Sequence, residues 1–325
     1  MADVLDLRQF HAAQLDGLLA AEAAEWNRIL DWDYQPSVEL IRQYVDARIL
    51  PGYVLVERGR GRTTPLGYGF YIQEACKGMI GNLYVAPEYR ARAGGAEALL
   101  LEQMIATLTA TPGLERIEAQ LMALRPETLG PSFAAHGFSS YRRVFLELGL
   151  GGEGKGAAED GGRTRAGPWR LEPWGAANYE EAARLIQRAY EHHVDSRIND
   201  QYRSFAGAIR FMHNIAHYPG CGAFDASASF LARSAGRGAL EGMILASRVK
   251  ADVAHITQVC VLPERQRQGV GQALLARTLA SLRGQRLRAA TLTVTGENTA
   301  ALGLYRRLGF VQLSEFDAYV WERQG

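Results

Sequence analysis

The chain has 325 residues, 47% apolar and 22% charged, the balance of an ordinary globular protein with enough apolar material for two packed cores. Its 36 basic and 35 acidic side chains leave a net charge of +1, so neither a nucleic-acid footprint nor a charged tail is present. Three scattered cysteines, Cys76, Cys221 and Cys260, exclude a disulfide framework, and no Cys-x-x-Cys zinc spacing occurs.

Met1–Phe10 carries Asp3, Asp6 and Arg8 and lacks the apolar core of a leader, and no run of about 18 uncharged apolar residues follows. The expected location is cytoplasmic, with no membrane and no nucleic acid among the partners. In the first half, Leu83-Tyr84-Val85-Ala86-Pro87-Glu88 is an apolar run that leads into Arg90-Ala91-Arg92-Ala93-Gly94-Gly95 and then an amphipathic stretch, with Gly137-Phe138 further on. Residues 149–168 are glycine-rich, polar and aperiodic, which predicts a flexible linker over 151–167 between an N-terminal domain, 1–150, and a C-terminal domain, 168–325.

The second half reads as follows. A strand is expected near Trp169–Leu171. A helix follows, capped by Asn178 with Glu181 as its capping-box partner and with Ala182, Leu185, Ile186, Ala189 and Tyr190 at helical spacing. A second helix runs over Tyr202–His217 and stops before Pro219-Gly220. Strands are expected at Ser229–Arg233, Gly242–Arg248 and Val253–Leu262, then a helix over Gly271–Leu282 with Leu274, Leu275, Thr278, Leu279 and Leu282 on one face. A β run at Ala290–Val294, a helix from Asn298 to Leu308 and a strand near Tyr319–Trp321 complete the order.

Val259-Cys260-Val261-Leu262-Pro263-Glu264 repeats the Val-x-Pro-Glu ending of the first half, and Gly309-Phe310 repeats its Gly-Phe pair. The proline-to-Gly-Phe distances are 50 and 46 residues. Shared order, context and spacing predict a duplicated domain.

Gln266-Arg267-Gln268-Gly269-Val270-Gly271 lies between a predicted strand and a predicted helix. Glycines let the backbone turn sharply, and free N–H groups at a helix N-terminus suit a diphosphate; a plain tight turn is the alternative. A Rossmann fingerprint requires a third glycine where Leu274 stands, and the Walker Gly-Lys-Ser/Thr is absent. The segment resembles the acyl-CoA signature of GCN5-related N-acetyltransferases (GNAT), Gln/Arg-x-x-Gly-x-Gly/Ala, at Gln266, Gly269 and Gly271. Asn298, Tyr305 and Leu308-Gly309-Phe310 resemble that family's last helix. The resemblance covers residues 169–322, and 3–149 more weakly.

It implies an α/β (α+β) architecture of two tandem GNAT acyl-CoA N-acyltransferase domains, each a mixed twisted sheet flanked by helices. The tandem arrangement resembles that of mycothiol synthase. It also implies acetyl-CoA as co-substrate, no metal, a small-molecule or peptide primary amine as acceptor, and a monomer or homodimer. The site residues follow from the same resemblance. Gln266, Arg267, Gln268, Gly269, Val270 and Gly271 would hold the diphosphate, and main-chain groups of Val259 and Val261 would pair with the pantetheine arm. A main-chain N–H of the central strand would stabilise the oxyanion. Tyr305 would protonate the departing thiolate, or else it is a core aromatic spaced with Leu302 and Leu308. Asn298 would contact the CoA arm, serve as helix N-cap, or do both. His255 would deprotonate the amine, or is a strand-edge histidine near Asp252; Glu241 and Asp195 are substitutes for that base.

Aligning Pro87 with Pro263 places Ala93, Phe133, Pro126 and Met79 where the second half has Gly269, Tyr305, Asn298 and His255, so the first half reads as a degenerate copy with a structural role. The resemblance implies that the first two helices of the second half wall the acceptor, a region that His192, His193, Asp195, Arg197, Tyr202, Arg203, Arg210 and Tyr218 make polar and aromatic. His213 and His217, four apart, lack the following glutamate and a third ligand of a zinc motif. The alternative function is a non-catalytic acyl-CoA-binding regulatory module, against which the intact Tyr305 and His255 argue.

Overall fold

The computed structural model describes residues 2–59, 62–90, 95–151, 169–236 and 238–324. The predicted linker falls almost wholly outside the described residues, as do Ala91, Arg92, Ala93 and Gly94 of the first-half loop. The strands are β1 Ala2–Asp6, β2 Gly52–Gly59, β3 Arg62–Glu74, β4 Lys77–Val85, β5 Arg116–Gln120, β6 Ser139–Gly149, β7 Trp169–Pro173, β8 Ala223–Phe224, β9 Phe230–Ser234, β10 Leu240–Lys250, β11 Val253–Val261, β12 Ala289–Thr295 and β13 Val311–Glu322. The helices are α1 Ala12–Leu30, α2 Gln35–Asp46, α3 Pro87–Arg90, α4 Ala96–Ala110, α5 Pro126–Ala135, α6 Tyr179–Tyr190, α7 Asp195–Ile198, α8 Phe205–His217, α9 Val270–Gly284 and α10 Thr299–Arg307.

Two compact units result, one of Met1–Arg143 with Glu315–Gly325 and one of Val144–Ser314. The expected boundary, in the glycine-rich segment, differs from this division in two places. The Val144–Gly149 part of β6 belongs to the second unit, and the Glu315–Glu322 part of β13 belongs to the first. The reason lies in the side chains. Val144, Leu146, Leu148 and Leu150 are buried with Leu292 and Phe310, whereas Tyr319 is buried with Phe133 and Ile117.

In the first unit the strand order is β1-β2-β3-β4-β5-β13, antiparallel except for β4 beside β5. One sheet face packs on α4 and α5, the other on α1 and α2. In the second unit the order is β6-β12-β11-β10-β9-β7, with β8 added to β10 and β11 parallel to β12. One face of that sheet carries α9 and α10, the other α6 and α8. Burial on both faces explains the near-continuous apolar run of β10: Ile244 and Ala246 face α9 and α10, while Met243 and Leu245 face α6 and α8. None of the helices among the described residues is long and apolar enough to cross a membrane.

The duplication holds at the level of single residues. A β-bulge between β3 and β4 leaves Gly81 without a partner, and one between β10 and β11 leaves Thr257 without one. Gly81 and Thr257 are separated by the same offset as Pro87 and Pro263. Parallel pairing stops at Ile80↔Ala119 in one unit and Ile256↔Leu292 in the other, again at that offset along the central strands.

The capping box expected at Asn178 and Glu181 does not form. Arg233 takes both side chains, donating to Asn178 Oδ1 at 2.8 Å and to Glu181 at 2.7 and 2.9 Å, because a partly buried guanidinium competes better for these acceptors than a frayed helix N–H does. In the first unit Glu22 is fully buried. It accepts from the Tyr68 hydroxyl and, at 2.6 Å, from Asn82 Nδ2.

Burial pushes the Glu22 carboxyl from the usual 4.5 up to about 7, against the hydrogen bonds from Tyr68, Asn82 and Trp26. The folded unit therefore binds this proton more tightly than the unfolded chain. Its stabilisation is complete below pH about 4.5 and is lost as pH rises through about 7, a total of about 3 kcal/mol. Glu22→Gln should abolish this fall and be the more stable protein at pH 8; urea midpoints at pH 5 and pH 8 measure it, and equal pH dependence in both proteins would refute it.

Candidate active site in the second unit

The site begins where β11 leaves β12. The two pair from Val253↔Ala289 to Ile256↔Leu292, and from the Thr257 bulge onward β11 keeps, among the described residues, only β10 as a paired neighbour. A strand edge with free polar groups is a template for adding an extended ligand. The carbonyls of Val259 and Val261, both half-buried, accept from Tyr190 Oη at 3.4 Å and Gln266 Nε2 at 3.3 Å.

Beyond Leu262, Pro263 starts a single 3-10 turn and the chain swings into an exposed loop, Gln266–Gly269. Arg267 and Gly269 adopt left-handed backbone, with φ of 59° and 94°, and Gly269 is the N-cap of α9. No side chain caps that helix, so its first N–H groups and dipole face outward to solvent. Val270 is buried in the core and anchors the loop, and a Cβ on Gly271 would meet Val261 at 3.7 Å, which brings the helix N-terminus close to the strand edge. Gln268 Nε2 bonds the Glu264 carbonyl at 2.8 Å and braces the turn. An uncapped glycine-lined helix terminus beside an unpaired strand edge suits a ligand with a diphosphate at one end of an amide-bearing arm. Of the predicted residues, Gln266–Gly269 are exposed and Val259 and Val261 half-buried, whereas Val270 is turned into the core.

Tyr305, on α10, is 8% exposed and packs edge-on against Phe310. Burial, and secondarily the Asp195 carboxylate, push its phenol well above the usual range, so it holds its proton at neutral pH. Asn298 is the N-cap of α10, its Oδ1 accepting from the Ala301 N–H at 3.1 Å. His255 sits deeper. It is 6% exposed, its Nδ1 lies 2.9 Å from the Thr291 hydroxyl, and its ring stacks on Phe145 at 5.9 Å. Glu241 is buried and ion-paired to Arg265 at 2.9 Å, which removes it from any role as a mobile base.

Sequence reasoning placed Tyr202 in the acceptor wall but missed its link through Gln258 to Tyr190. Tyr190 and Tyr202 stack at 4.3 Å, and Gln258, next to the bulge, donates to Tyr190 Oη at 2.8 Å and accepts from Tyr202 Oη at 3.2 Å. The bulge turns Gln258 to the α6 side, a shift that alternation alone does not reveal. His193 Nε2 lies 3.1 Å from Asn298 Nδ2, and the Thr295 hydroxyl donates to Asp195. A cavity of about 370 Å³ adjoins Tyr190, lined also by Gln187, Arg188, Glu191, Ser196 and Arg203. His213 and His217 are placed away from it, exposed on α8 with rings 4.3 Å apart. Among the described residues no group of three or more His, Cys, Asp or Glu could hold a metal ion. Burial pushes the Cys260 thiol up to about 12, which leaves it unreactive.

In the first unit, Gly95 (φ 110°) caps α4 as Gly269 caps α9, so a left-handed glycine survives there although Ala93 stands at the aligned position. Arg90, aligned with Gln266, donates to both Glu25 oxygens at 2.9 Å and lies 3.3 Å from Glu97, a carboxylate in the first turn of α4. These carboxylates already meet the positive charge that an incoming diphosphate would need. Phe133 is fully buried and stacked on Tyr319 at 3.9 Å, Pro126 opens α5, and Met79 is 39% exposed.

The model of the acetyltransferase (GNAT) family matches residues 182–310. A 64-residue segment is 38% identical to the ribosomal protein bS18-alanine N-acetyltransferase of Escherichia coli; it takes up 20% of this chain and 43% of that enzyme, so less than half of the relative's length is matched. Among solved structures, a GCN5-related N-acetyltransferase from Sphaerobacter thermophilus superposes with a TM-score of 0.65 at 16% identity, covering 100% of this chain and 96% of that one. A tandem GNAT protein from the clavulanic acid biosynthesis pathway superposes with a TM-score of 0.59 at 16% identity, covering 100% and 99%. At these identities the structural likeness is one of fold.

Proposed function

We propose that this chain, which belongs through its residues 182–310 to the acetyltransferase (GNAT) family, moves an acetyl group from acetyl-CoA to a primary amine of a small molecule or peptide by direct attack in a ternary complex. The observation that carries the reading is the separation of β11 from β12 after Ile256, beside the uncapped N-terminus of α9. In this reading, N–H groups from Gln268 to Gly271 bind the diphosphate, and main-chain groups of Val259 and Val261 pair with the pantetheine amides. Gln266 and Arg267 flank the diphosphate, and Asn298 meets the arm near the thioester. The thioester carbonyl then lies near the Thr257 bulge, where main-chain N–H groups can hold the oxyanion. Tyr305 supplies a proton to the thiolate as it leaves.

The cavity beside Tyr190 supports an acceptor entering from the α6–α7 side. The Escherichia coli relative acts, by its name, on an alanine of a ribosomal protein, which favours a peptide N-terminus as one acceptor to test. The working location in this reading is the cytoplasm, where acetyl-CoA is at hand.

The test is acetyl transfer from labelled acetyl-CoA to a panel of alanine-terminated peptides and small primary amines. Absence of transfer to all of them, with CoA still binding, would favour the regulatory module. Coenzyme A binding has its own check. A β-branched side chain at the φ of Gly269 is strained. Gly269→Val should therefore weaken CoA at least about tenfold by calorimetry, a loss of about 1.4 kcal/mol, with little change in melting temperature. Undiminished affinity would remove the loop from the site.

A further inference from the structure

Resting on the acetyl-CoA reading, we infer that Arg307 of α10 holds the 3′-phosphate of coenzyme A, so that the second unit selects the complete coenzyme over its 3′-dephospho form. The start of α9 offers main-chain N–H groups and a dipole equivalent to about half a positive charge. Coenzyme A brings a diphosphate and, on its ribose, a phosphate monoester of about −1.5 to −2 at neutral pH. Side-chain cations are needed to balance the second anion.

The carboxylates of Glu264 and Glu241, which border the loop, each hold an arginine. Glu264 accepts from Arg188 at 2.7 Å, and buried Glu241 pairs with Arg265 at 2.9 Å. Arg267 in the loop and Arg307 in the last turn of α10 are different. Both are exposed, and neither has a hydrogen-bond or ion-pair partner among the described residues.

Arg307 is brought to the loop by its own helix. A Cβ on Gly271 would meet Leu304 of α10 at 3.9 Å, so α10 flanks the start of α9 at that level. Arg307 lies three residues beyond Leu304, on the same flank. Its side chain leans back toward the helix N-terminus, and Nη1 lies 3.4 Å from where a Cβ on Gly303 would stand. The guanidinium is thereby level with Leu304, the residue that faces the start of α9. Glycine is a poor helix former, and at 303 its missing side chain is the room in which the guanidinium lies. Trp169 covers the other flank of the loop. It belongs to β7, at the far edge of the sheet, and would meet a Cβ on Gly269 at 3.7 Å. The α10 side is the one left for the ribose and its phosphate.

The duplicated unit carries the complementary pattern. There Arg90, Glu25 and Glu97 satisfy one another where the diphosphate would sit. At the offsets that align Pro87 with Pro263 and Phe133 with Tyr305, Ala91 stands at Arg267 and Ala135 at Arg307. The partnerless arginines thus occur beside the open loop and are missing beside the filled one. Arg306, aligned with Ala134, leaves α10 on a different flank, because consecutive helical residues are turned by about 100°.

The experiment titrates the full chain with coenzyme A and with 3′-dephospho-coenzyme A by calorimetry. The wild type should bind coenzyme A at least about tenfold more tightly than the dephospho form, the scale of one charge-assisted contact. Arg307→Gln should bring coenzyme A down to the affinity of the dephospho form, while affinity for the dephospho form stays within about twofold. Arg307→Lys should keep part of the preference, as a point charge without the planar fork. Arg306→Gln should keep all of it. Both side chains are exposed, so the variants should melt as the wild type does. Equal affinity of the wild type for the two ligands, a preference that survives Arg307→Gln, or an equal loss of both ligands in Arg307→Gln overturns this assignment alone. Wild-type protein that binds neither ligand overturns the parent reading together with it.

Discussion

Replacing Tyr305 by phenylalanine should lower kcat by about 100- to 1,000-fold, the range expected when a positioned general acid is removed. Affinity for acetyl-CoA should hardly change. The ring is 8% exposed and packs against Phe310, so phenylalanine preserves the shape and the fold, and the hydroxyl alone is tested. A thiolate expelled into a partly dry cleft is a strong base, and a phenol kept protonated by burial and by the nearby Asp195 is matched to it. The sign for pH follows from the raised value: the acid form persists past the usual phenol range, so Tyr305 imposes no loss of activity below pH about 10. Turnover by Tyr305→Phe within a few-fold of wild type, measured at saturating acetyl-CoA, would reduce Tyr305 to a core aromatic.

Truncation after Ser314 should unfold the first unit. That segment places Phe316, Ala318, Tyr319 and Val320, all buried, on the edge of β5. Each large side chain contributes about 1.5–3 kcal/mol by burial, and a domain's whole net stability is about 5–15 kcal/mol. The loss of Tyr319 also leaves Phe133 without its stacking partner, and Arg116, itself buried, without Glu322. Expression of 1–151 alone omits the same strand and should fail in the same way. Limited proteolysis and thermal scans of the truncated chain decide it. A first unit that melts as in the full chain would show that β13 is dispensable. Tyr319→Ala, expected to cost about 3–5 kcal/mol, gives the graded version of the test.

Much of this architecture is written in local patterns. The helix over Gly271–Leu282 is found at Val270–Gly284 with Leu274, Leu275, Thr278, Leu279 and Leu282 buried as their spacing required. The helix expected from Tyr202 starts instead at Phe205, because Ser204 caps it by accepting from the Gly207 N–H. Residues 200–203 form only a 3-10 turn. The last strand is longer than expected, 311–322 rather than 319–321; Val311 and Leu313 alternate with Gln312 and Ser314 but lie exposed, so that stretch marks no core face.

For the candidate site, the glycine loop and the positions of Asn298 and Tyr305 were legible because turn chemistry and helical spacing act over a few residues. His193 was visible only as one polar residue among several. Its link to Asn298 spans 105 positions and that of Asp195 to Thr295 spans 100, separations at which no periodicity operates.

The amino-acid sequence by itself determined the duplication, the order of strands and helices in the second half except for the short α7 and β8, and the loop Gln266–Gly271, since each depends on hydrophobic period and backbone freedom within one short stretch. The tertiary structure alone decided which sheet receives β13 and where the Thr257 bulge turns Gln258. Those outcomes depend on where parallel pairing ends and on which core a strand's apolar face enters, and such competition between distant segments is resolved only when the sheets assemble.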